Sequence, residues 1–115
     1  MVGDEDLQLY YERNSDRELA QELWHIASEQ GHAAFFQTER YSLIDDHTPF
    51  LLAGIPAVDI IDFDYPYWHT TDDTLDKISA SSLEQVGQTV QHWVEWRVTN
   101  VANDEFIDAE PGEIP

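Results

Sequence analysis

An open α/β sheet flanked by helices is the fold class this sequence predicts, on three observations. One apolar stripe at helical spacing runs through Leu19, Ala20, Leu23, Ile26 and Ala27, and another through Leu83, Val86, Val90, Trp93, Val94 and Arg97. Between them lies Pro56-Ala57-Val58-Asp59-Ile60-Ile61-Asp62-Phe63, whose β-branched content and turn-like flanks suit a strand of a largely buried sheet. Helix, short helix, strand, loaded loop, helix is the order of an open α/β sheet, where functional loops follow the C-terminal ends of strands.

Each element has a local reason. Residues 7–11 alternate weakly and suit a short strand. Ser15 with Glu18 three residues later reads as a capping box that opens the first helix. Gly31 ends that helix, at a place where a left-handed residue needs no Cβ. Residues 32–43 read as a polar, aromatic connector. Thr48-Pro49 reads as the N-cap and first-turn proline of a short helix over 49–53, stopped by Gly54. Asp59 in the following strand needs a partner if it points inward. Residues 62–78 form a long loop rich in Asp and aromatics, and such loops in compact domains tend to carry function. Ser81 with Glu84 reads as a second capping box. Gly87 within the last helix costs about 1 kcal/mol relative to Ala, which predicts a close packing contact there. The last 15 residues hold five acids and no base and read as a disordered acidic tail, which leaves 1–100 as one domain.

Composition narrows the function classes. A chain of 115 residues holds one domain with a core, and too little for two. With 42% hydrophobic residues, most of it should fold. The 24 acids against five Lys and Arg give a formal charge of −19. Phosphate binding needs clustered cations, so nucleic acid is excluded as a partner and an anionic membrane surface is a poor one. The acids are spread over the whole length, which suits solvation in a salt-rich medium better than a focused field for cations. No cysteine is present, so disulfides and thiolate metal sites are excluded. No apolar run approaches a membrane span, and Met1 to Asp6 has neither the basic nor the apolar segment of a signal peptide. The compartment stays open.

Two clusters could carry chemistry. His69 follows the bulky Trp68 and precedes Thr70, Thr71, Asp72 and Asp73, groups able to fix the second ring nitrogen or the loop. Neutral imidazole is the commonest catalytic zinc ligand. The plainer alternative is a surface histidine in an acidic turn. Asp45, Asp46 and His47 form the second cluster, where adjacent carboxylates can share a proton or hold a cationic amine. Here the plainer alternative is that Asp46 or Thr48 caps the short helix. His25 and His92 read as boundary residues, His32 carries no signal, and Trp24, Trp93 and Trp96 read as core or helix-boundary residues. Asp59, Asp62 and Asp64 invite a calcium reading, although the spacing lacks the glycine and terminal glutamate of an EF-hand loop.

Four pieces together resemble the C-terminal half of the zinc aminopeptidase and glutaminyl-peptide cyclotransferase superfamily. They are Met1-Val2-Gly3-Asp4; Asp45-Asp46-His47 with Pro49-Phe50; Gly54-Ile55-Pro56; and Trp68-His69-Thr70 with Asp73-Thr74. The resemblance implies a partial open mixed sheet, the C-terminal portion of a zinc-exopeptidase-like α/β/α domain. It makes His69 a zinc ligand, Asp45 a carboxylate of the catalytic hydrogen-bond network, and Trp68 and Tyr65 walls of a substrate pocket. Asp46, His47 and Asp73 then support those groups from behind. A tryptophan directly before the histidine leans toward the cyclase-like branch, which binds one zinc; hydrolytic relatives bind two. The substrates implied are peptide or protein N-termini. Relatives carry their other ligands and an acid/base glutamate upstream of the Met-Val-Gly segment, and relatives are often exported. By that resemblance the chain reads as a fragment that needs a missing N-terminal half and is inactive alone. The rival from another class is a non-catalytic acidic module that binds calcium or a basic protein partner.

Overall fold

Strand β1 (Leu9–Glu12), helix α1 (Arg17–Glu29) and strand β2 (Phe35–Tyr41) form a β-α-β unit in the computed structural model, which describes residues 1–101. The strands pair in parallel, with Leu9 opposite Phe35, Tyr11 opposite Glu39 and Glu12 opposite Tyr41, and with irregular register between these pairs. Among the described residues the only other pairing is an antiparallel bridge between Asp4 and Ile78. The α/β class is as expected. Of the expected acidic tail, residues 102–115 lie outside the described residues, and Val101 belongs to the last helical turn.

Helix α1 buries Ala20, Leu23, Trp24 and Ala27. They meet Leu7, Leu9, Tyr11 and Ala34 in a core onto which Phe35, Val58, Ile60, Val86 and Trp93 pack. Trp24 sits between Tyr11 and Phe35, ring centroids 5.1 Å from each, and its indole N–H donates to the Phe36 carbonyl at 2.9 Å. That bond meets the requirement of a buried indole for an acceptor. Asp16 is the N-cap, accepting from the Leu19 N–H at 2.9 Å. Ser15, expected in that role, is drawn away because its hydroxyl donates to the buried Glu12 carboxylate at 3.0 Å.

The connector expected over 32–43 contains β2. Five of its seven residues are exposed, and a strand with little burial on either face shows no apolar alternation to detect. The strand expected over 56–63 does not form among the described residues. Its backbone is used by side chains and turn atoms instead: the Ala57 carbonyl accepts from the Asp16 N–H at 2.8 Å, and the Asp59 N–H donates to Ser15 Oγ at 2.9 Å. Val58 and Ile60 still reach the core.

Helix α2 (Thr48–Leu52) starts one residue earlier than expected. His47 is its N-cap without a side-chain bond, and Thr48 Oγ1 accepts from the Asp45 N–H at 3.1 Å, so neither Asp46 nor Thr48 caps it. Gly31 and Gly54 are left-handed, with φ 76° and 79°, as their stop positions require. A 3-10 turn (Leu75–Lys77) leads to helix α3 (Ala80–Trp96) and a π-helical turn (Arg97–Val101). Ser79 caps α3 by accepting from the Ser82 N–H at 3.1 Å, two residues before the expected Ser81. The buried face of α3 is turned toward Ser82 and Thr89, so Leu83 and Val94 stay exposed. Trp93 and Arg97 both donate to the Glu22 carboxylate, at 2.9 Å and 2.7 Å, and pin α3 to α1. A Cβ added at Gly87 would meet nothing within 4 Å, so the close contact expected there is absent among the described residues.

All five cationic side chains are engaged: Arg13 and Arg17 with Glu39, Arg40 with Asp64, Lys77 with Asp76, and Arg97 with Glu22. None is left over for a phosphate. Among the described residues, no helix is long and apolar enough to cross a membrane.

Two measurements check this description. Gly87→Ala stabilises the chain by about 0.5–1 kcal/mol, because it adds helix propensity without a clash, and it raises the urea midpoint at constant slope. The melting temperature rises as NaCl goes from low to molar concentration, because salt screens the self-repulsion of a chain of charge −19; a flat or falling profile contradicts it.

Candidate functional site

His69 lies on the exposed loop that runs from Asp62 toward the 3-10 turn. It is the only non-glycine with positive φ among the described residues, at 59°. That conformation costs an L-residue about 1–2 kcal/mol, so the surrounding loop must impose it. The Tyr67 carbonyl accepts from the Thr70 N–H at 3.1 Å and from its hydroxyl at 2.6 Å, closing a tight turn around residues 68 and 69. The His69 ring lies 4.5 Å from Trp68, Trp68 lies 5.4 Å from Phe63, and Phe63 lies 5.4 Å from Tyr41 of β2. This aromatic ladder ties the imidazole to the sheet. No hydrogen bond or ion pair among the described residues uses either ring nitrogen, so both can meet a ligand.

Trp68 is 37% exposed and presents part of its indole to solvent beside the imidazole. Tyr65 differs from expectation: it is 1% exposed, and it turns inward rather than facing an open pocket. Its hydroxyl donates to Asp73 Oδ1 at 2.5 Å and draws the two ends of the loop together. Burial first, and then the Asp73 carboxylate, push the Tyr65 phenol pKa up, so it stays a donor.

Asp45 and His47 fall in a second place, the segment entering α2. His47 is buried; Asp45 is half-buried; Asp46 is exposed and makes no side-chain bond among the described residues. The Asp45 carboxyl is within hydrogen-bonding reach of Asp59, which supplies the inward partner that Asp59 needed. Burial first, and then Asp45, push the Asp59 pKa up to about 7, against the pull of His47. His47 Nε2 lies 2.8 Å from Glu12 Oε1, and its Nδ1 lies 3.6 Å from Asp59 Oδ2. Burial alone would raise Glu12, but N–H groups of Leu43 and Asn14 with the side chains of Ser15 and His47 outweigh it, and its pKa falls below the ordinary value. Glu12 carries no sequence signal, because a lone glutamate after a strand reads as a surface residue.

A second carboxyl pair anchors the start of the His69 loop. Asp62 is fully buried; its Oδ2 accepts from the Gln8 N–H at 3.2 Å and its Oδ1 from the Asp64 N–H at 3.1 Å. Burial first, and then the neighbouring Asp4, push its pKa up to about 7. Asp59 faces Asp45, Asp62 faces Asp4, and Asp64 pairs with Arg40 at 3.3 Å. The three acids therefore do not converge as a calcium cage would require.

A catalytic zinc takes three protein ligands and keeps one open position. The free imidazole of His69 fits as one of them. Among the described residues, no group of three or more His, Cys, Asp or Glu side chains is placed to hold a metal ion. These residues alone do not make a zinc site.

Comparison with known proteins follows the same line. The model of "Peptidase family M28" matches residues 1–94. The glutaminyl-peptide cyclotransferase of Boiga irregularis is 32% identical over 56 residues, 48% of this chain and 15% of that protein. Among solved structures, the glutaminyl cyclase of an Acidobacteriales bacterium superposes with a TM-score of 0.74 at 39% identity, covering 83% of this chain and 36% of that one. A leucine aminopeptidase precursor from Bacteroides thetaiotaomicron superposes with a TM-score of 0.72 at 32% identity, covering 78% of this chain and 33% of that one. The chain thus spans about a seventh of that curated relative's length and about a third of each solved one.

The two carboxyl pairs set the pH response of stability. Asp59 and Asp62 have folded pKa values of about 7, above the ordinary 3.8, so the folded state binds more protons than the unfolded state between those values. Their stabilising contribution is complete below the ordinary value and is lost as pH rises to about 7. Urea denaturation at fixed ionic strength shows the chain losing stability over that window. Asp4→Asn, which replaces a like charge beside Asp62 with an amide donor, makes the loss smaller.

Proposed function

Because this chain belongs to peptidase family M28, we propose that it supplies part of a glutaminyl-cyclase-like site for peptide N-termini. His69 is the zinc ligand of that site, Trp68 its substrate wall, and Asp45 a member of its proton-carrying network. The observation that carries the reading is the His69 imidazole, held left-handed on an aromatic ladder with neither ring nitrogen bonded among the described residues. When bound, zinc supplies Lewis acidity toward a substrate carbonyl.

The remaining roles belong to this chain's own residues. Trp68 offers an apolar face against which the first residue of a peptide can lie. Cyclisation of N-terminal glutamine forms a bond from the α-amine nitrogen to the γ-amide carbon and expels ammonia, so the attacking nitrogen loses a proton and the leaving nitrogen gains one. Asp45, half-buried and joined to Asp59, belongs to the hydrogen-bond network that carries this proton. Tyr65 and Asp73 hold the loop closed behind His69. The tryptophan directly before the histidine favours the cyclase reading, with one zinc, over the aminopeptidase reading. In this reading the other zinc ligands and the acid/base glutamate come from outside the described residues.

A chimera tests this. Residues 1–94 replace the matching part of the Acidobacteriales bacterium glutaminyl cyclase, and zinc content and pyroglutamate formation are measured. The chimera binds zinc and turns over. In it, His69→Ala lowers zinc affinity and turnover by about 100-fold, and Asp45→Asn keeps the zinc while lowering kcat by about 100-fold or more. A folded chimera whose zinc and turnover are indifferent to His69→Ala refutes the proposal.

A further inference from the structure

The most heavily engaged polar group among the described residues is outside the site proposed above. Glu12, at the end of β1, is fully buried. Its Oε1 accepts from the Ser15 N–H at 2.8 Å, from the Ser15 hydroxyl at 3.0 Å and from His47 Nε2 at 2.8 Å. Its Oε2 accepts from the N–H groups of Leu43 at 2.8 Å and Asn14 at 3.1 Å. An ionised carboxylate only accepts, so the bond at 2.8 Å places a proton on His47 Nε2. The other ring nitrogen, Nδ1, is then directed at Asp59 Oδ2, 3.6 Å away. Both of those atoms are buried, and neither has a hydrogen-bond partner among the described residues, so each is left facing the other.

Glu12 reaches Asp59 by a second arm. The Ser15 hydroxyl that donates to Glu12 accepts the Asp59 N–H at 2.9 Å. One carboxylate thus grips Asp59 by its backbone through Ser15 and by its side chain through His47. Side-chain exposure rises along the His47 arm, from 0% at Glu12 to 3% at His47 and 13% at Asp59. Beyond Asp59 lies the half-buried Asp45. A structural salt bridge needs only the first link. Here a second link continues outward, from the buried carboxylate through the ring to a carboxyl nearer the surface.

We propose that Glu12 and His47 are positioning residues, which aim Asp59 at Asp45 and so fix the orientation and proton occupancy of the carboxyl pair. The proposal rests on the reading of Asp45 given above. It brings in Glu12 as the anchor, and gives His47 and Asp59 definite parts as the oriented ring and the group that touches Asp45. The titratable groups facing Asp59 among the described residues are Asp45 and His47, from the segment entering α2, and Glu12, from the end of β1.

Carboxyl and imidazole NMR of the full 115-residue chain tests it without zinc or turnover. Long-range nitrogen-15 spectra show His47 with its proton on Nε2, and carbon-13 spectra show Asp59 titrating near 7. His47→Gln removes a group that favours the charged form and moves the Asp59 midpoint up by about half a unit or more, while Asp45→Asn removes a like charge and moves it down. A residue that only fills space would not give shifts of opposite sign. A proton on Nδ1 alone, an ordinary carboxylate midpoint for Asp59, or shifts in one direction with the fold retained each overturn the proposal. Should His47→Gln not fold, Glu12→Gln decides the matter: redistribution of the His47 proton to Nδ1 supports the anchor role, and an unchanged ring overturns it. Failure here leaves the zinc reading of His69 standing. Failure of the chimera with these shifts intact removes the enzyme reading and keeps the network.

Discussion

Glu12 is the constraint on which the arrangement of this chain depends. Taking an ionised carboxylate out of water costs several kcal/mol, and the charge stays only if its oxygens are met by donors. Hydrogen bonds to a charged group are among the stronger ones, and five of them meet the two oxygens of Glu12. Those donors come from the turn into α1, from Leu43 just after β2, and from His47 at the start of α2. The same carboxylate therefore closes the β-α-β unit and delivers residues 45–47 to their place. Weakening it would loosen both at once, because five donors would lose their acceptor together.

Charge outside this cluster follows a different rule. Every Lys and Arg is paired with an acid, and most of the surplus acids face water. The inward acids do not find cations, since none remain. They pair with each other, as Asp59 does with Asp45 and Asp62 with Asp4, and the repulsion is relieved by retaining a proton rather than by a counter-charge. A chain this poor in cations thus acquires carboxyls that change charge near neutral pH, at the two places where the loops bearing Asp45 and His69 join the core.

How much of this was legible in the sequence depends on whether the signal was periodic or relational. The stripe of α1 and the stops at Gly31 and Gly54 were readable, because amphipathic spacing and left-handed glycine are local properties. The Trp68-His69 and Asp45-His47 segments were readable as candidates through their residue types and the family they resemble. Strand β2 was not, since an exposed strand has no buried face to imprint alternation. The stretch 56–63 has the composition of a strand, but its backbone is met by Ser15 and Asp16 instead of a neighbouring ladder. The first capping box was misplaced for a related reason. Ser15 was the better cap by local pattern until a buried glutamate claimed its hydroxyl, and nothing near Glu12 in the chain announces that it would be buried.

The left-handed backbone at position 69 bears most directly on function. Where this chain needs only the conformation, it uses glycine: a Cβ at Gly31 or Gly54 would meet nothing within 4 Å, and each stands at the end of a helix. At position 69 glycine would serve a turn equally well and without strain. A histidine there costs about 1 kcal/mol of backbone strain, with its ring stacked on Trp68 and its nitrogens unused by the described residues. Strain of that kind persists when a side chain is wanted at a point that relaxed backbone does not reach. The aromatic ladder from Tyr41 through Phe63 and Trp68 supplies the packing that holds it. A loop built only to connect two elements would need neither the strain nor the ladder. That contrast is the physical ground for the ligand role proposed for His69.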